Sequence, residues 1–159
     1  MKTRHPVILL TLLFSIPFFL AAGQSLRNGD LSRGSAIWSG DRRVIDDPDD
    51  PSNKILEMAL KRNQKSSFYQ LIDTAGVSFI ISFRVKPSDG YKGDGIITLR
   101  CTRADRSFVW QNFNIRGKSW QTISWPFTEI NGSRKVNFSI ETERGEGKLL
   151  FDDFSIKKK

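Results

Sequence analysis

From residue 30 onward the chain alternates apolar and polar positions with period 2, and no stretch keeps helical spacing over the length of an ordinary helix. Val77, Phe79, Ile81, Phe83 and Val85 share one face, while Ser78, Ser82, Arg84 and Lys86 share the other. Val136, Phe138 and Ile140 alternate in the same way with Lys135, Asn137, Ser139 and Glu141. The same reading predicts strands over 54–60, 66–72, 96–102, 108–115, 120–127 and 149–156. Turn-forming runs separate them: Pro87-Ser88-Asp89-Gly90, Gly93-Asp94-Gly95, Arg116-Gly117-Lys118, Asn131-Gly132-Ser133 and Gly145-Glu146-Gly147. Short half-apolar strands joined by regular turns predict an all-β fold, two antiparallel sheets packed face to face as a sandwich.

The first 23 residues break the pattern. Lys2 and Arg4 precede an apolar stretch from Val7 to Leu20, and Ala21-Ala22-Gly23 supplies small residues before Gln24. This is the layout of a cleavable signal peptide, and Pro17 and the short apolar run do not suit a spanning helix. The prediction is a signal over 1–23 and one β-sandwich domain over 24–159, secreted or periplasmic, with no membrane span in the mature chain. Removal of Lys2 and Arg4 takes the net charge from +8 to +6, which favours anionic partners at low salt.

The signal would also carry off the chain's one histidine, His5. Ser-His-Asp and Cys-His catalysis are thereby excluded from the mature protein. Cys101, the one cysteine, shares a strand face with Ile97 and Leu99 and reads as a small buried hydrophobe. No zinc-ligand spacing or phosphate-cradling glycine loop is present. The expectation is a protein that is not an enzyme and requires no cofactor.

Sugar recognition needs flat aromatic faces with hydrogen-bonding groups beside them. In the 108–115 strand, placing Val109, Gln111, Phe113 and Ile115 inward leaves Trp110 outward beside Asn112, a stacking platform with a polar neighbour. Arg84 and Arg100 fall on the outward sides of their own strands. Whether these side chains converge depends on sheet membership, which alternation does not reveal. Trp38, in the early loop region, and Tyr91, in the 89–94 turn, are further candidates, since loop tips at a sandwich edge often bind. Against each stands ordinary packing, the commoner fate of an aromatic in a β-sandwich. Trp125 reads as core, and Trp120 is open.

The order of segments adds a resemblance. Asn28-Gly29-Asp30-Leu31, Trp38, Asn53-Lys54-Ile55-Leu56-Glu57-Met58, Phe68-Tyr69-Gln70, the 79–86 strand, Trp120-Gln121-Thr122-Ile123 and Leu150-Phe151-Asp152-Asp153-Phe154-Ser155-Ile156 follow one another. Over 25–157 this layout resembles the galactose-binding-like jelly roll, specifically the secreted carbohydrate-binding modules. The resemblance implies a jelly-roll sandwich and a glycan ligand. It further implies a structural calcium near the termini, for which Asp152 matches the closing position and Asp30 is the opening candidate. Ser32 departs from the pattern, standing where relatives commonly place Glu. Alternation puts Asp152 on the face of Phe154 and Ile156, where a bare carboxylate is costly. A hard cation would relieve that cost, as would backbone amides or a Lys or Arg partner. The acidic run from Asp46 to Pro51 lacks the glycine and bidentate Glu of a calcium loop and reads as a solvated loop entering the 54–60 strand.

Three functional readings follow. The first is a glycan-binding domain, with an acidic glycan suggested by the charge. The second is an extracytoplasmic protein-interaction or assembly module on the same scaffold. The third is a small glycan-active enzyme using two carboxylates from Glu57, Asp73, Glu141 and Glu143. Nucleic acid is disfavoured, because the basic residues are scattered among acids and the chain reads as exported.

Overall fold

The computed structural model of the chain describes residues 31, 34, 37–74, 77–128 and 134–159. They form ten strands: β1 (Ser39–Gly40), β2 (Arg43–Asp47), β3 (Asp50–Leu60), β4 (Ser66–Asp73), β5 (Phe79–Pro87), β6 (Ile96–Arg103), β7 (Phe108–Asn114), β8 (Gln121–Phe127), β9 (Lys135–Thr142) and β10 (Gly147–Lys158). Two five-stranded antiparallel sheets result, ordered β1-β4-β9-β6-β7 and β2-β3-β10-β5-β8. This is the predicted sandwich. The signal assigned to 1–23 lies outside the described residues. Among those described, no helix is long and apolar enough to cross a membrane.

The inward faces supply one core. Phe68 and Leu99 from the first sheet meet Phe83 and Phe151 from the second, all essentially inaccessible to water. Trp38 packs into this aromatic cluster, its ring 4.7 Å from Phe154 and 5.3 Å from Phe68 between centroids. Cys101 and Trp125 are buried in the same core, as their strand faces predict.

Period 2 fails at one informative place. Phe151 and Phe154 both point inward although an odd number of positions separates them. The register of β10 against β5 shifts between Asp152 and Ser155, and Asp153 takes a left-handed backbone (φ 52). This bulge adds a residue and reverses the alternation. Asp152 therefore leaves the face of Phe154 and Ile156 and turns to the outer side of its sheet, a correction to the expected placement.

The acidic run is likewise structured. Rather than a loop, it is the tip of a β2–β3 hairpin in which Asp47 pairs with Asp50. Asp47 Oδ1 accepts from the Asp49 amide at 3.0 Å, and Asp50 Oδ1 accepts from the Ser52 amide and hydroxyl at 3.1 and 2.6 Å. The Ser52 hydroxyl, then its amide, hold the Asp50 carboxyl below its ordinary pKa. Lys54 pairs with Asp46 and Lys86 with Asp49, so basic neighbours answer the cluster's charge.

Between β1 and β2 the chain passes from one sheet to the other. Gly40 (φ 97) allows this, because a Cβ there would lie 2.3 Å from the Ser67 carbonyl oxygen.

Candidate functional site

The outer face of the β1-β4-β9-β6-β7 sheet carries three parallel rows of side chains set by strand register. In the central row Trp110 stands opposite Arg100, Arg100 opposite Ser139, and Ser139 opposite Tyr69. One row on, Phe108, Thr102, Asn137 and Leu71 follow in the same order. On the other side lie Asn112, Thr98, Glu141 and Ser67. The large hydrophobic side chains exposed among the described residues are Trp110 at 58%, Leu71 at 58%, Phe108 at 47% and Tyr69 at 42%. All four are on this one face. Apolar groups thus flank a polar centre, and Trp110 and Tyr69 stand three strand spacings apart, about 14 Å.

The polar centre is braced by its own contacts. The Arg100 guanidinium lies 4.0 Å from the ring centroid of Phe108, its diagonal neighbour, a cation–π contact made beside its direct partner Trp110. Its Nη1 is 3.9 Å from Glu141 Oε1. Glu141 also accepts from Ser139 Oγ at 3.0 Å and pairs with Lys65 Nζ at 2.7 Å. Thr98 donates its hydroxyl to Asn112 Oδ1 at 2.7 Å, which leaves the Asn112 amide hydrogens for another acceptor. Beside them opens a cavity of ≈ 230 Å³ lined by Thr98, Asn112, Glu141, Glu143 and Arg144. The face offers rings for stacking, amide and guanidinium donors, and carboxylate and hydroxyl acceptors within one row or strand of each other.

Of the residues expected at a site, Trp110, Arg100 and Asn112 are brought together here. Arg84 is not. It projects from the outer side of the opposite sheet, where Nη2 meets Asp152 Oδ2 at 2.7 Å and Nε meets Asp153 Oδ2 at 2.6 Å. Its guanidinium also sits 5.1 Å from the Trp120 ring centroid, with Lys86 at 4.9 Å. Trp38, 1% exposed, is a core residue and has no ring face to offer a ligand. Tyr91 is half-buried against the 93–95 and 145–147 turns, and its hydroxyl accepts from the Gly95 amide at 3.1 Å. It organises loops on an edge apart from the aromatic rows.

Sequence reasoning missed Tyr69, Leu71 and Phe108, and named Glu141 only as a candidate catalytic carboxylate. The 68–72 run, Phe-Tyr-Gln-Leu-Ile, is apolar on both faces, and its one polar residue, Gln70, points inward and is 2% exposed. Pairing with β9 settles the face that composition leaves ambiguous.

Asp152, only 3% exposed, has its charge met by Arg84, by Asn53 Nδ2 at 3.0 Å and by the Asp153 amide at 2.8 Å. Asp30 lies outside the described residues. Among the described residues no group of three or more acidic, histidine or cysteine side chains is arranged to hold a metal ion.

No family model matches the chain, and no curated protein matches its sequence. Solved structures do match its fold. The TmCBM61 module in complex with beta-1,4-galactotriose superposes with a TM-score of 0.62 at 15% identity, over 86% of this chain and 99% of that one. A CBM4 structure gives 0.62 at 18% identity, over 84% and 99%. The enzymatically active domain of bacteriophage CBA120 tailspike protein 4 gives 0.65 at 12% identity, over 86% of this chain but 21% of the tailspike chain. The fold is thus that of the β-sandwich carbohydrate-binding modules.

Proposed function

We propose that this protein is an exported, non-catalytic glycan-binding module whose ligand lies across the outer face of the β1-β4-β9-β6-β7 sheet. One observation carries the reading: every large apolar side chain exposed among the described residues is on that face, in register with donors and acceptors suited to hydroxyl groups. A separation of about 14 Å between Trp110 and Tyr69 suits an oligosaccharide laid across the strands better than a single sugar. A net charge of +6 without residues 1–23, and the placement of Arg100 and Lys65, favour a glycan bearing acidic groups.

Binding without turnover is the better account of the carboxylates. Glu141 and Glu143 line one cavity, but Lys65 Nζ lies between them at 2.7 and 3.9 Å. A hydrolase needs its two carboxylates across an open gap that admits the glycosidic bond. Glu57 is on the other sheet, engaged by Arg43 and Lys148 at 2.9 Å each.

The test is retention of the purified protein on a panel of insoluble neutral and uronate-bearing polysaccharides, with reducing-end release measured in parallel. Retention without release, lost in Trp110→Ala, supports the reading. Release of reducing ends, or no retention on any polymer, rejects it. A protein partner is the second reading, favoured by the exposed Trp110 and Tyr69, since these side chains also dominate protein-interface hot spots.

A further inference from the structure

A second concave feature lies away from the aromatic rows, where the chain crosses between sheets. It is a cavity of ≈ 550 Å³, a size ordinary for ligand sites. Three segments wall it: the β1–β2 corner, the β3–β4 turn and the start of β10. Arg42, Arg43, Lys61, Lys65 and Lys148 line it, against Asp41 and Glu57 as the acidic groups.

Those charges are not evenly matched. Glu57, 5% exposed, is committed to Arg43 and Lys148, which bind its two carboxylate oxygens separately. Asp41 accepts from the Ser67 amide at 3.1 Å. Lys65 is turned toward Glu141 and Glu143. Arg42 and Lys61 meet no carboxylate among the described residues. The Arg42 guanidinium is nevertheless held in place, donating from Nη1 to the Gly40 carbonyl at 3.1 Å, and its buried Nε finds no protein acceptor. Lys61 opens a tight turn closed by the Gln64 amide on the Lys61 carbonyl at 3.0 Å, with Asn63 in a left-handed conformation (φ 58). Arg42, held by the Gly40 carbonyl, and Lys61, carried on the β3–β4 turn, thus line one cavity without an ion-pair partner among the described residues, while Glu57 is already engaged by Arg43 and Lys148. An anion entering here would meet the held Arg42 guanidinium and the Lys61 ammonium without breaking an existing ion pair.

We propose that this edge cleft is an anion-binding site that takes the carboxylate or sulfate groups of an acidic glycan. It rests on the glycan-binding reading and divides its labour: the aromatic face contacts the sugar rings, and the cleft reads the charge. Because β1 and β4 border both surfaces, and Lys65 lines the cleft while pairing with Glu141 of the aromatic face, one long chain can engage both.

The experiment is a residue-resolved NMR titration of the ¹⁵N-labelled protein with hexagalacturonate, a sulfated oligosaccharide and a neutral galactan oligomer. Wild type, Trp110→Ala and an Arg42→Gln/Lys61→Gln double variant are compared, each checked by thermal melting. The expected result is that one or both acidic probes shift the amides of residues 61–65, and that the neutral probe does not. Those shifts should survive in Trp110→Ala. Loss of the Arg42 and Lys61 charges should weaken acidic-probe affinity about tenfold, the scale of one charge-assisted contact, and leave neutral-glycan retention intact. Carboxylate and sulfate are told apart by which probe shifts the cleft. If acidic probes shift only the aromatic face, or the double variant binds them unchanged, the cleft proposal is overturned while the glycan-binding reading stands. If no glycan of either kind binds, both fall. Should the double variant melt early, Lys61→Gln alone, in an exposed turn, carries the same comparison.

Discussion

Arg100 and Trp110 stand directly opposite each other across the β6–β7 ladder, yet the guanidinium stacks on Phe108 and leaves the indole without a ring partner among the described residues. An indole more than half exposed contributes little to the core, so Trp110→Ala should shift the melting temperature by no more than about 2 °C, as for a surface substitution. Retention on the cognate polysaccharide should fall at least tenfold, since an aromatic platform contributes on the order of a hot-spot residue. A large loss of stability with retention preserved would show that the ring packs and does not recognise.

Trp38 predicts the opposite pattern. Its ring fills the space between Phe68 and Phe154, and truncation would leave a large cavity lined by rings that cannot collapse into it. Trp38→Ala should cost about 3–5 kcal/mol, measured by denaturant unfolding. Folded protein, where it persists at low temperature, should keep its glycan retention. Loss of retention in folded Trp38→Ala would mean that the indole reaches the ligand.

The pairing of Arg84 with Asp152 makes an asymmetric prediction. Asp152 is buried, whereas Arg84 is partly open to solvent and has Asp153 as a second partner. Arg84→Ala strands a carboxylate against Asn53 and one amide, and should cost about 3 kcal/mol. Asp152→Asn keeps an acceptor for Asn53 and frees a guanidinium that water can reach, so it should cost about 1 kcal/mol. With Arg84 as the counter-charge, a chelator should leave the melting temperature unchanged. A drop on chelation, restored by calcium, would instead favour a cation at this end of the sandwich.

These contrasts mark where the chain was legible before its fold was known. Strands such as β5 and β9 announce themselves, because a polar Ser, Arg or Asn separates most of their inward Phe, Ile and Val residues, Ile80 being the exception. The outward setting of Trp110 and Asn112 followed from the same rule. Three things did not. The bulge at Asp153 depends on one left-handed residue, which no periodicity reveals, and it reversed the reading of Asp152. The β2 strand hides in an acidic segment whose charges are matched by Lys54 and Lys86, one of them from a distant strand. Sheet membership is a non-local property, so the separation of Arg84 from Arg100 on opposite faces could come only from strand order.

Tyr91 offers a titration that tests the loop edge. Its hydroxyl sits among the Gly93, Gly95 and Gly145 backbones, and burial raises its pKa from the ordinary 10.0, opposed by the Gly95 amide and assisted by the Asp94 charge. The neutral phenol is the form the fold prefers. A raised folded-state pKa means that the folded protein holds this proton more tightly than the unfolded chain. The contribution is therefore complete below pH 10 and is lost as pH rises through the folded-state value. In a Tyr69→Phe background Tyr91 is the one remaining phenol, so an alkaline spectrophotometric titration reads it directly. Ionisation should begin above the range of a free tyrosine, and unfolding in urea should become easier over that same interval. Tyr91→Phe keeps the ring packing but removes the acceptor for the Gly95 amide. It should cost about 1 kcal/mol and abolish the tyrosine-linked part of the alkaline loss. A phenol that titrates at the ordinary value would place the ring in solvent and leave the 93–95 and 145–147 turns without this tie.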